Sequence, residues 1–306
     1  MLRIGVWGGG AIGLLWAGRL CRLFPETWVI TRSREQRDLL RSQGLIWTDQ
    51  QGKSLQVHPH VEWSGGNHLP AFDVIFLTVK QTVVAEVLPL LSALSPSPDI
   101  WLWQNGLGVE DRTGSMRLVR VVTSEGALRL GPGQVQHTGT GSTYIGPVCR
   151  EEMPGNSARL VRKLAAAGMP VSFDPDIDRR VWVKLAVNCV INPLAALWNI
   201  PNGRLSKQAG FTRWMEGLLE EVVQVAAAEG WIFSKKELTD QIETVCRLTA
   251  SNRSSMLQDL SRGKRTEVDF INGAVADRGE RHGIPTPLNR RLIGLIHQAE
   301  KERKLL

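Results

Sequence analysis

The chain opens with a short apolar run that is followed at once by a cluster of glycines. Leu2 to Trp7 has the composition of a short buried β-strand, and Gly8 to Gly13 carries the pattern GxGxxG. Leu14 to Leu23 then shows apolar residues at helical spacing. A strand, a glycine turn and a helix in this order are typical of a dinucleotide-binding βαβ unit, so this part of the chain is restricted to a parallel α/β sheet.

The glycines of the turn have different physical tasks in such a unit. Gly8 permits the tight turn, Gly10 lets the backbone approach a pyrophosphate, and Gly13 lets the helix lie close to the strand. The N–H groups at the start of the helix bind phosphate. We therefore predict a dinucleotide site, with a purely structural turn as the alternative; its residues are Gly8, Gly9, Gly10, Ala11, Ile12 and Gly13.

Two arginines stand where the partner of a cofactor ribose is expected. In NAD-specific sites an acidic residue about 20 positions beyond the glycines accepts from the ribose 2′-hydroxyl. Here the predicted strand Trp28 to Thr31 is followed by Arg32 and Arg34. A guanidinium group binds a 2′-phosphate, which a carboxylate would repel. We predict NADP (NADPH) as the cofactor with Arg32 as a contact; solvated surface arginines are the alternative.

Two further polar residues follow predicted buried strands. Lys80 comes directly after the run Ala71 to Val79, and Asn105 follows the run Asp99 to Trp103. Ligands bind at the carboxyl ends of strands in open parallel sheets, so we predict that Lys80 binds the cofactor and that Asn105 lies near the nicotinamide. Asn followed by Gly is also a common turn, so a turn-forming task for Asn105 remains open.

The pattern of the chain changes from strands to helices near Asp178. We predict an α/β N-terminal Rossmann-type domain with a parallel-rich sheet over residues 1–176, and an all-α C-terminal domain over residues 177–306. A β-hairpin is predicted within 45–63. Helical periodicity runs through 179–198, 212–230, 235–250, 252–262, 266–282 and 287–304.

Composition limits the classes of function. The chain has 306 residues, 42% of them hydrophobic and 22% charged, as in a globular protein. Its net charge of +7 comes from dispersed basic residues, which favours a small anionic ligand over nucleic acid. The longest apolar stretches have about ten residues and are interrupted by Gly, Arg or Lys, so they are short of the ~20 residues of a membrane span. With no leader pattern and four widely spaced cysteines, we expect a cytoplasmic protein with no membrane contact, no disulfides and no metal site.

The most informative segment of the second half is Trp182 to Pro193. Lys184, Asn188 and Asn192 stand at i, i+4 and i+8 and so share one helical face. The rest of the segment is almost entirely apolar and contains no acidic residue. A buried face with a lysine and two asparagines is costly unless a polar group lies against it. A polar ligand in an interdomain cleft would satisfy this face; a structural ladder of the three side chains is the alternative.

Burial would change the acidity of Lys184 and so suit it to proton transfer. Loss of solvent lowers the pKa of a lysine, because the charged form is destabilised. Lys184 would then be an acid near neutral pH, able to stabilise and protonate the oxygen of a ketone that receives a hydride. Farther along, Thr266 is predicted to cap a helix with Glu267 and Asp269 in its first turn, which would explain both acids without any function.

With these motifs assembled, the chain resembles the ketopantoate reductase (2-dehydropantoate 2-reductase) family. The resemblance spans nearly the whole chain, and it is most specific in Lys184–Trp198, Pro201–Gly203, Ser254–Asp259 and Thr266–Gly273. It implies a Rossmann domain followed by a helical domain. It also implies NADPH-dependent reduction of 2-dehydropantoate to pantoate, a step in pantothenate biosynthesis.

The resemblance also implies roles for individual residues. The family's glycine motif falls on Gly8 to Gly13, its basic cofactor contacts fall on Arg32 and Lys80, and its catalytic lysine falls on Lys184. Contacts to cofactor or substrate are implied for Asn105 and Glu267, and contacts to substrate also for Lys184, Asn188, Asn192, Asn202 and Ser255. Alternatives are another NADP-dependent 2-oxoacid or β-hydroxyacid reductase, or a non-catalytic NADP-sensing protein; the oligomeric state is left open.

Overall fold

The protein, analysed as a computed structural model, is described over residues 2–66, 69–148 and 152–303 and divides into two compact units. Unit 1 comprises Met1–Gln104 and Val109–Asp178, and unit 2 comprises Asn105–Gly108 and Arg179–Leu306. The segment Asn105–Gly108 thus belongs to unit 2 although unit 1 flanks it on both sides in the sequence. Nothing in the sequence pattern pointed to this assignment.

Unit 1 is built on an eight-stranded sheet with the order β12-β11-β8-β7-β6-β1-β2-β5. Neighbouring strands pair in parallel except β8 and β11, which are antiparallel. The strands are β1 (Ile4–Trp7), β2 (Thr27–Thr31), β5 (His60–Trp63), β6 (Val74–Leu77), β7 (Asp99–Leu102), β8 (Leu118–Thr123), β11 (Thr143–Pro147) and β12 (Val171–Phe173). The predicted parallel-rich α/β sheet is therefore confirmed.

Both faces of this sheet are covered, which explains why its central strands read as continuous apolar runs. Val74 and Phe76 of β6 pack on one face with residues of helices α1 (Ala11–Cys21) and α4 (Gly155–Ala166). Ile75 and Leu77 face the other side and pack with helix α3 (Val84–Ser92). Helix α2 (Arg34–Gln43) contacts β2 and β5. Alternate residues of one strand thus serve two separate cores.

A second sheet of four strands lies beside α1, in the order β4-β3-β10-β9. The predicted hairpin within 45–63 is confirmed, because β3 (Leu45–Thr48) pairs antiparallel with β4 (Ser54–Val57). Strand β9 (Gly126–Gly131) pairs antiparallel with β10 (Gln134–Gly139), and β10 joins the two hairpins by pairing in parallel with β3. Gly18 of α1 lies close to this sheet, since a Cβ there would be 3.2 Å from the Cβ of Trp47.

A buried ion pair joins α1 to the start of the β9 hairpin. Arg19 forms two hydrogen bonds with the carboxylate of Glu125, one of them 2.9 Å long from Nη2 to Oε1. The side chains are 8% and 0% exposed. The guanidinium also lies 5.2 Å from the centre of the Trp16 ring, and His137 Nε2 lies 3.8 Å from Glu125 Oε1. Two opposite charges are therefore held together in a poorly solvated place.

Unit 2 is helical, as predicted. It carries most of α5 (Ile177–Trp198), followed by α6 (Phe211–Ala228), α7 (Lys235–Leu248), α8 (Ser255–Ser261), α9 (Val268–Arg281) and α10 (Pro287–Arg303), with a 3₁₀ helix at Asn202–Lys207. In the described part of the chain, α5 is long and apolar enough to pass a test for a membrane span, although its runs are interrupted in the sequence; 72% of its most apolar window is buried inside the protein. That burial is the property of a core helix.

Three of the four cysteines lie within the described residues. Cys21, Cys189 and Cys246 are free, and Cys149 lies outside the described residues. Burial raises the pKa of the Cys21 thiol to about 12. It also raises the pKa of Cys189, with a further contribution from the charge of Glu221. These thiols are therefore neutral at ordinary pH and poorly reactive.

Removing the carboxylate of the Arg19–Glu125 pair should destabilise unit 1 strongly. In Glu125→Gln the guanidinium stays buried without its counter-charge, and the expected loss in the free energy of unfolding is about 3–5 kcal/mol, measured by urea denaturation. The double variant Arg19→Met/Glu125→Leu is the control, because it removes both charges and should lose less. Equal losses in the two proteins would show that packing, and not charge pairing, determines the stability here.

Candidate functional site

The glycine turn of unit 1 is held by close backbone contacts. Gly8 has a φ of +129°, which glycine adopts readily, and its N–H donates to the Ile30 carbonyl at 2.9 Å. A Cβ on Gly13 would lie 2.0 Å from the Gly8 carbonyl oxygen and 2.5 Å from Thr78 Oγ1. Gly13 is therefore required for packing α1 against the turn, which agrees with its predicted task.

Gly10 differs from Gly13 in the space around it. A Cβ on Gly10 would meet no atom of the described residues within 4 Å, so folding alone does not require glycine there. Gly10 is the N-cap of α1, and the first helical hydrogen bond runs from the Leu14 N–H to the Gly10 carbonyl at 2.9 Å. The N–H groups of Ala11, Ile12 and Gly13 have no acceptor within the helix. This open helix start, without an acidic residue in its first turn, fits a phosphate group.

Gln36 and Thr78 support the turn, and the sequence analysis missed both. The Thr78 hydroxyl is 3.0 Å from the Gly8 carbonyl oxygen and 3.1 Å from that of Trp7. The buried Gln36 amide donates to the carbonyls of Gly9 at 2.9 Å and of Pro132 at 2.7 Å. Gln36 therefore connects the turn to the β9–β10 connection. No local pattern predicts these contacts, since their partners are 27 to 96 positions away.

The predicted phosphate-binding cations lie at the same edge of the sheet as the glycine turn. Strands β2 and β6 both pair in parallel with β1, and Arg32 directly follows β2 while Lys80 follows β6 by three residues. The Arg32 side chain is 79% exposed and lies 3.9 Å from Glu86, a pair that contributes little in water. Arg34 stacks on Trp63, with its guanidinium 4.4 Å from the ring centre. A 2′-phosphate contact for Arg32 and a cofactor contact for Lys80 stay predictions.

In unit 2 the predicted polar face lies on one continuous helix. Lys184, Asn188 and Asn192 all belong to α5, where Lys184 and Asn188 are half-buried and Asn192 is buried. Other residues of the same segment are apolar and at most 6% exposed, namely Trp182, Leu185, Ala186, Val187, Cys189, Val190 and Ile191. The three polar groups therefore form a narrow polar stripe on an otherwise apolar stretch of α5.

The environment of Lys184 changes its acidity in the predicted direction. Loss of solvent lowers the pKa of Lys184 from its ordinary value to about 8, and the negative charge of Glu267 opposes that shift. A lysine with a pKa of about 8 is mostly protonated at pH 7 and can still give up its proton. It therefore has the acidity required of a general acid near neutral pH.

Glu267 and Asn105 meet at the start of α9. Glu267 is buried at the N-cap position of this helix, and Asn105 Nδ2 lies 3.4 Å from Glu267 Oε2. The loop that carries Asn105 is fixed to α9 by a hydrogen bond of 3.2 Å from the Leu107 N–H to the Phe270 carbonyl. Gly106 has a φ of +83°, and a Cβ there would be 1.9 Å from that same carbonyl. Asn105 therefore does more than form a turn, because its loop is docked beside a buried carboxylate.

The start of α9 differs slightly from the sequence prediction. Thr266 was predicted as the N-cap, and Glu267 occupies that position instead. The Thr266 hydroxyl still accepts from the Val268 N–H at 3.3 Å, and the Thr266 N–H donates to Glu300 at 2.7 Å. The Glu267 carboxylate makes no capping hydrogen bond to its own helix. Capping therefore does not account for this acid.

Asn202 and Ser255 lie on other elements of unit 2. Asn202 opens the 3₁₀ helix and donates through Nδ2 to Thr249 Oγ1 at 2.9 Å, while its buried Oδ1 has no hydrogen-bond partner among the described residues. Ser255 is exposed at the first position of α8, where the preceding residue, Ser254, makes the cap. These contacts hold the backbone in place, and substrate binding by Asn202 and Ser255 stays a prediction.

The chain matches known proteins over almost its full length. Residues 4–149 match the family described as Ketopantoate reductase PanE/ApbA, and residues 176–300 match the family described as Ketopantoate reductase PanE/ApbA C terminal. The 2-dehydropantoate 2-reductase of Shigella flexneri is 33% identical over 306 residues, covering 98% of this chain and 96% of that protein.

Solved structures with the same fold include two that are similar over both full chains. The PanE/ApbA family ketopantoate reductase from Ralstonia eutropha JMP134 has a TM-score of 0.88 and 30% identity, covering 98% of this chain and 99% of that one. D-Mandelate dehydrogenase with NADH and anilino(oxo)acetate has a TM-score of 0.89 at 24% identity, with coverages of 98% and 99%. At that identity the second likeness concerns the fold alone.

Substitution by alanine should have different effects at Gly10 and Gly13 of the turn. Gly10→Ala should leave the thermal unfolding temperature nearly unchanged and weaken dinucleotide binding by about tenfold or more, because its methyl group occupies the space that a phosphate needs. Gly13→Ala should lower the unfolding temperature by several degrees, because its methyl group collides with the Gly8 carbonyl. Calorimetry and fluorescence titration with NADPH measure the two effects. If Gly10→Ala binds NADPH as tightly as the wild type does, the cofactor phosphate does not approach Gly10 closely.

Proposed function

The chain belongs to the ketopantoate reductase family, and from that premise we propose that it reduces 2-dehydropantoate to pantoate with NADPH. It is an oxidoreductase acting on the CH–OH group of its product. The observation that carries the proposal is the polar stripe on α5, where the Lys184 ammonium, with a pKa of about 8, stands in line with two asparagine amides on an apolar helix. A binding protein without chemistry has no need of a lysine and two asparagines aligned on one face of this helix.

A nicotinamide dinucleotide is the cofactor class that fits the glycine turn. The open space at Gly10 and the uncapped start of α1 suit a pyrophosphate, and the turn carries no acidic residue that would repel it. We propose NADPH in particular because Arg32 stands at the end of β2 in place of the acid typical of NAD sites. Lys80, at the end of β6, would add a second positive charge.

The residues of unit 2 would bind the substrate and control its proton. The bound cofactor supplies the hydride that reaches the ketone carbon of 2-dehydropantoate. Lys184 would stabilise the negative charge that builds on the ketone oxygen and then transfer its proton to that oxygen, which leaves a neutral amine and the product hydroxyl. Glu267 would keep enough positive charge on Lys184 at neutral pH for this transfer, since its attraction raises the lysine pKa.

The remaining polar residues would orient the substrate. Asn188 and Asn192 stand one and two helical turns beyond Lys184 and can bind polar groups beside the ketone without adding charge. Asn105 and Glu267 would contact the substrate hydroxyl or the cofactor. Asn202, with its unpaired buried Oδ1, and the exposed Ser255 would contact the substrate, Ser255 at the carboxylate. The net charge of +7 suits such an anionic substrate.

This function implies a cytoplasmic metabolic enzyme with a small anionic substrate, and with neither nucleic acid nor membrane as a partner.

The direct test measures NADPH oxidation by absorbance with 2-dehydropantoate and with simpler 2-oxo acids. We expect a kcat/KM for 2-dehydropantoate at least about tenfold above the others, because only this substrate brings both a carboxylate and a hydroxyl to the polar stripe. A faster reaction with another 2-oxo acid would instead indicate a different reductase of the same fold.

Replacing the proposed acid should reduce turnover by orders of magnitude and leave cofactor binding intact. Lys184→Ala is expected to lower kcat by about 10²–10⁴-fold while its Kd for NADPH stays close to that of the wild type. Wild-type turnover in this variant would show that Lys184 is not the proton donor.

The pH dependence follows from the same lysine. Because ketone reduction needs the protonated form, kcat/KM for reduction should fall as pH rises through about 8. Oxidation of pantoate needs the neutral amine and should rise over the same interval. An identical pH profile in both directions would contradict the assignment.

The preference for NADPH can be tested at Arg32. Arg32→Ala should raise the KM for NADPH by about tenfold and that for NADH much less, because only NADPH carries the 2′-phosphate. Arg22→Ala, an exposed arginine beyond the end of α1, is the control for the same loss of net charge and should change neither value. Equal effects of Arg32→Ala on both cofactors would argue against a phosphate contact.

A further inference from the structure

Helix α5 contains a proline that removes one of the hydrogen bonds of the helix. In a regular α-helix, the N–H of residue 193 donates to the carbonyl of residue 189. Residue 193 is Pro193, which has no N–H, so the Cys189 carbonyl loses its intrahelical donor. Cys189 is fully buried and lies on the turn between Asn188 and Asn192. A buried carbonyl without a donor is costly, so another group must supply one.

Asn272 of α9 supplies the missing donor. Its Nδ2 donates to the Cys189 carbonyl at 3.0 Å and to Asn289 Oδ1 at 2.9 Å. Asn272 and Asn289 are both fully buried. An amide nitrogen carries two hydrogens and can serve two acceptors at once without bringing a charge, which neither a hydroxyl nor an ammonium group can do. The side chain therefore suits its two partners.

Glu221 of α6 fixes the direction of this chain of amides. Its carboxylate accepts from the backbone N–H groups of Leu288 at 2.7 Å and Asn289 at 3.0 Å, and from Asn289 Nδ2 at 2.7 Å. Because a carboxylate only accepts, the amide nitrogen of Asn289 must face Glu221, and its oxygen must face Asn272. The Asn272 nitrogen is then left to face Cys189. Three elements, α6, α9 and α10, thus hold one carbonyl of α5.

A second carbonyl of the same stretch is held from α8. The buried Ser254 hydroxyl donates to the Asn192 carbonyl at 3.3 Å and accepts from the Leu257 N–H at 3.1 Å. The elements tied to α5 around Pro193 are therefore those that carry Ser255 and Glu267. The anchoring contacts lie on the turn that separates two members of the polar stripe.

We propose that Asn272 is a positioning residue for the reaction. It replaces the hydrogen bond that Pro193 removes and so fixes the part of α5 that carries Lys184, Asn188 and Asn192 relative to Glu267 at the start of its own helix. This inference rests on the proposed function, because it assigns Asn272 a task only if the polar stripe is the reacting face. A misplacement of about 1 Å at such a face lowers turnover by up to about 100-fold.

The test is a double-mutant cycle between Asn272 and Pro193. Asn272→Leu should lower kcat for 2-dehydropantoate reduction by about 10- to 100-fold while the KM for NADPH changes less than about twofold. Pro193→Ala restores an N–H for the Cys189 carbonyl. In the Pro193→Ala background, Asn272→Leu should therefore lower kcat less than about threefold. Leu219→Ala, a buried apolar residue of α6, is the control for a general loss of stability and should keep wild-type kcat at 25 °C.

Each other outcome overturns the inference. Wild-type kcat in Asn272→Leu would show that the hydrogen bond to the Cys189 carbonyl does not position the polar stripe. If Asn272→Leu lowers kcat equally in the wild-type and Pro193→Ala backgrounds, its effect does not come from replacing the hydrogen bond that Pro193 removes. A Pro193→Ala protein as inactive as Lys184→Ala would show that the backbone bond does not substitute for the Asn272 one. If Asn272→Leu does not fold, Asn272→Asp, which has the same shape and an acceptor in place of the donor, is measured in both backgrounds. Lys184→Ala with wild-type turnover would refute the proposed function itself, whatever Asn272 does.

Discussion

The proposed function of unit 2 depends on keeping one ammonium group, that of Lys184, on an apolar stretch of α5. A lysine buried without a counter-charge can titrate as low as pH 5–6 and would be neutral at physiological pH, whereas a lysine closely paired in water stays near its ordinary value. In this protein the two effects oppose each other: burial lowers the pKa of Lys184, Glu267 limits the decrease, and the result is a value of about 8. A group with this pKa is mostly charged at pH 7 and can still give up its proton.

Steric contacts distinguish two kinds of glycine in the turn: one that packing requires, and one beside which there is space for a ligand. Gly13 cannot carry a side chain, because a Cβ would lie 2.0 Å from the Gly8 carbonyl oxygen. Gly10 has open space and an ordinary φ of −82°, so stability does not explain it. The glycine pattern alone does not distinguish these tasks. The distinction strengthens the dinucleotide hypothesis at Gly10, the position where phosphate approach is expected.

Short-range patterns carried most of what the sequence could predict. The strand, turn and helix at the N-terminus and the alignment of Lys184, Asn188 and Asn192 follow from periodicities of a few residues, and the parallel-rich sheet and the helical second half are confirmed. The side-chain network around Asn272 was missed because its partner Cys189 is 83 positions away. Pro193 was visible in the sequence, but a proline shows only that a carbonyl lacks its donor and not which residue replaces it. The parallel pairing of β3 with β10, which joins two distant hairpins, was beyond local patterns for the same reason.

The docking of the Asn105 loop has a consequence for how the enzyme is made on the ribosome. Asn105 and Glu267 are separated by 162 positions, so more than half of the chain must be synthesised before this pair can form. The glycine turn needs less than the first half of the polypeptide, since its contacts end at Thr78 and Pro132 is its farthest support. A nascent chain can therefore acquire its nucleotide-binding architecture early, whereas the loop with Asn105 waits for the last quarter of translation. A chain that stops before residue 267 therefore lacks the carboxylate beside which the Asn105 loop is docked.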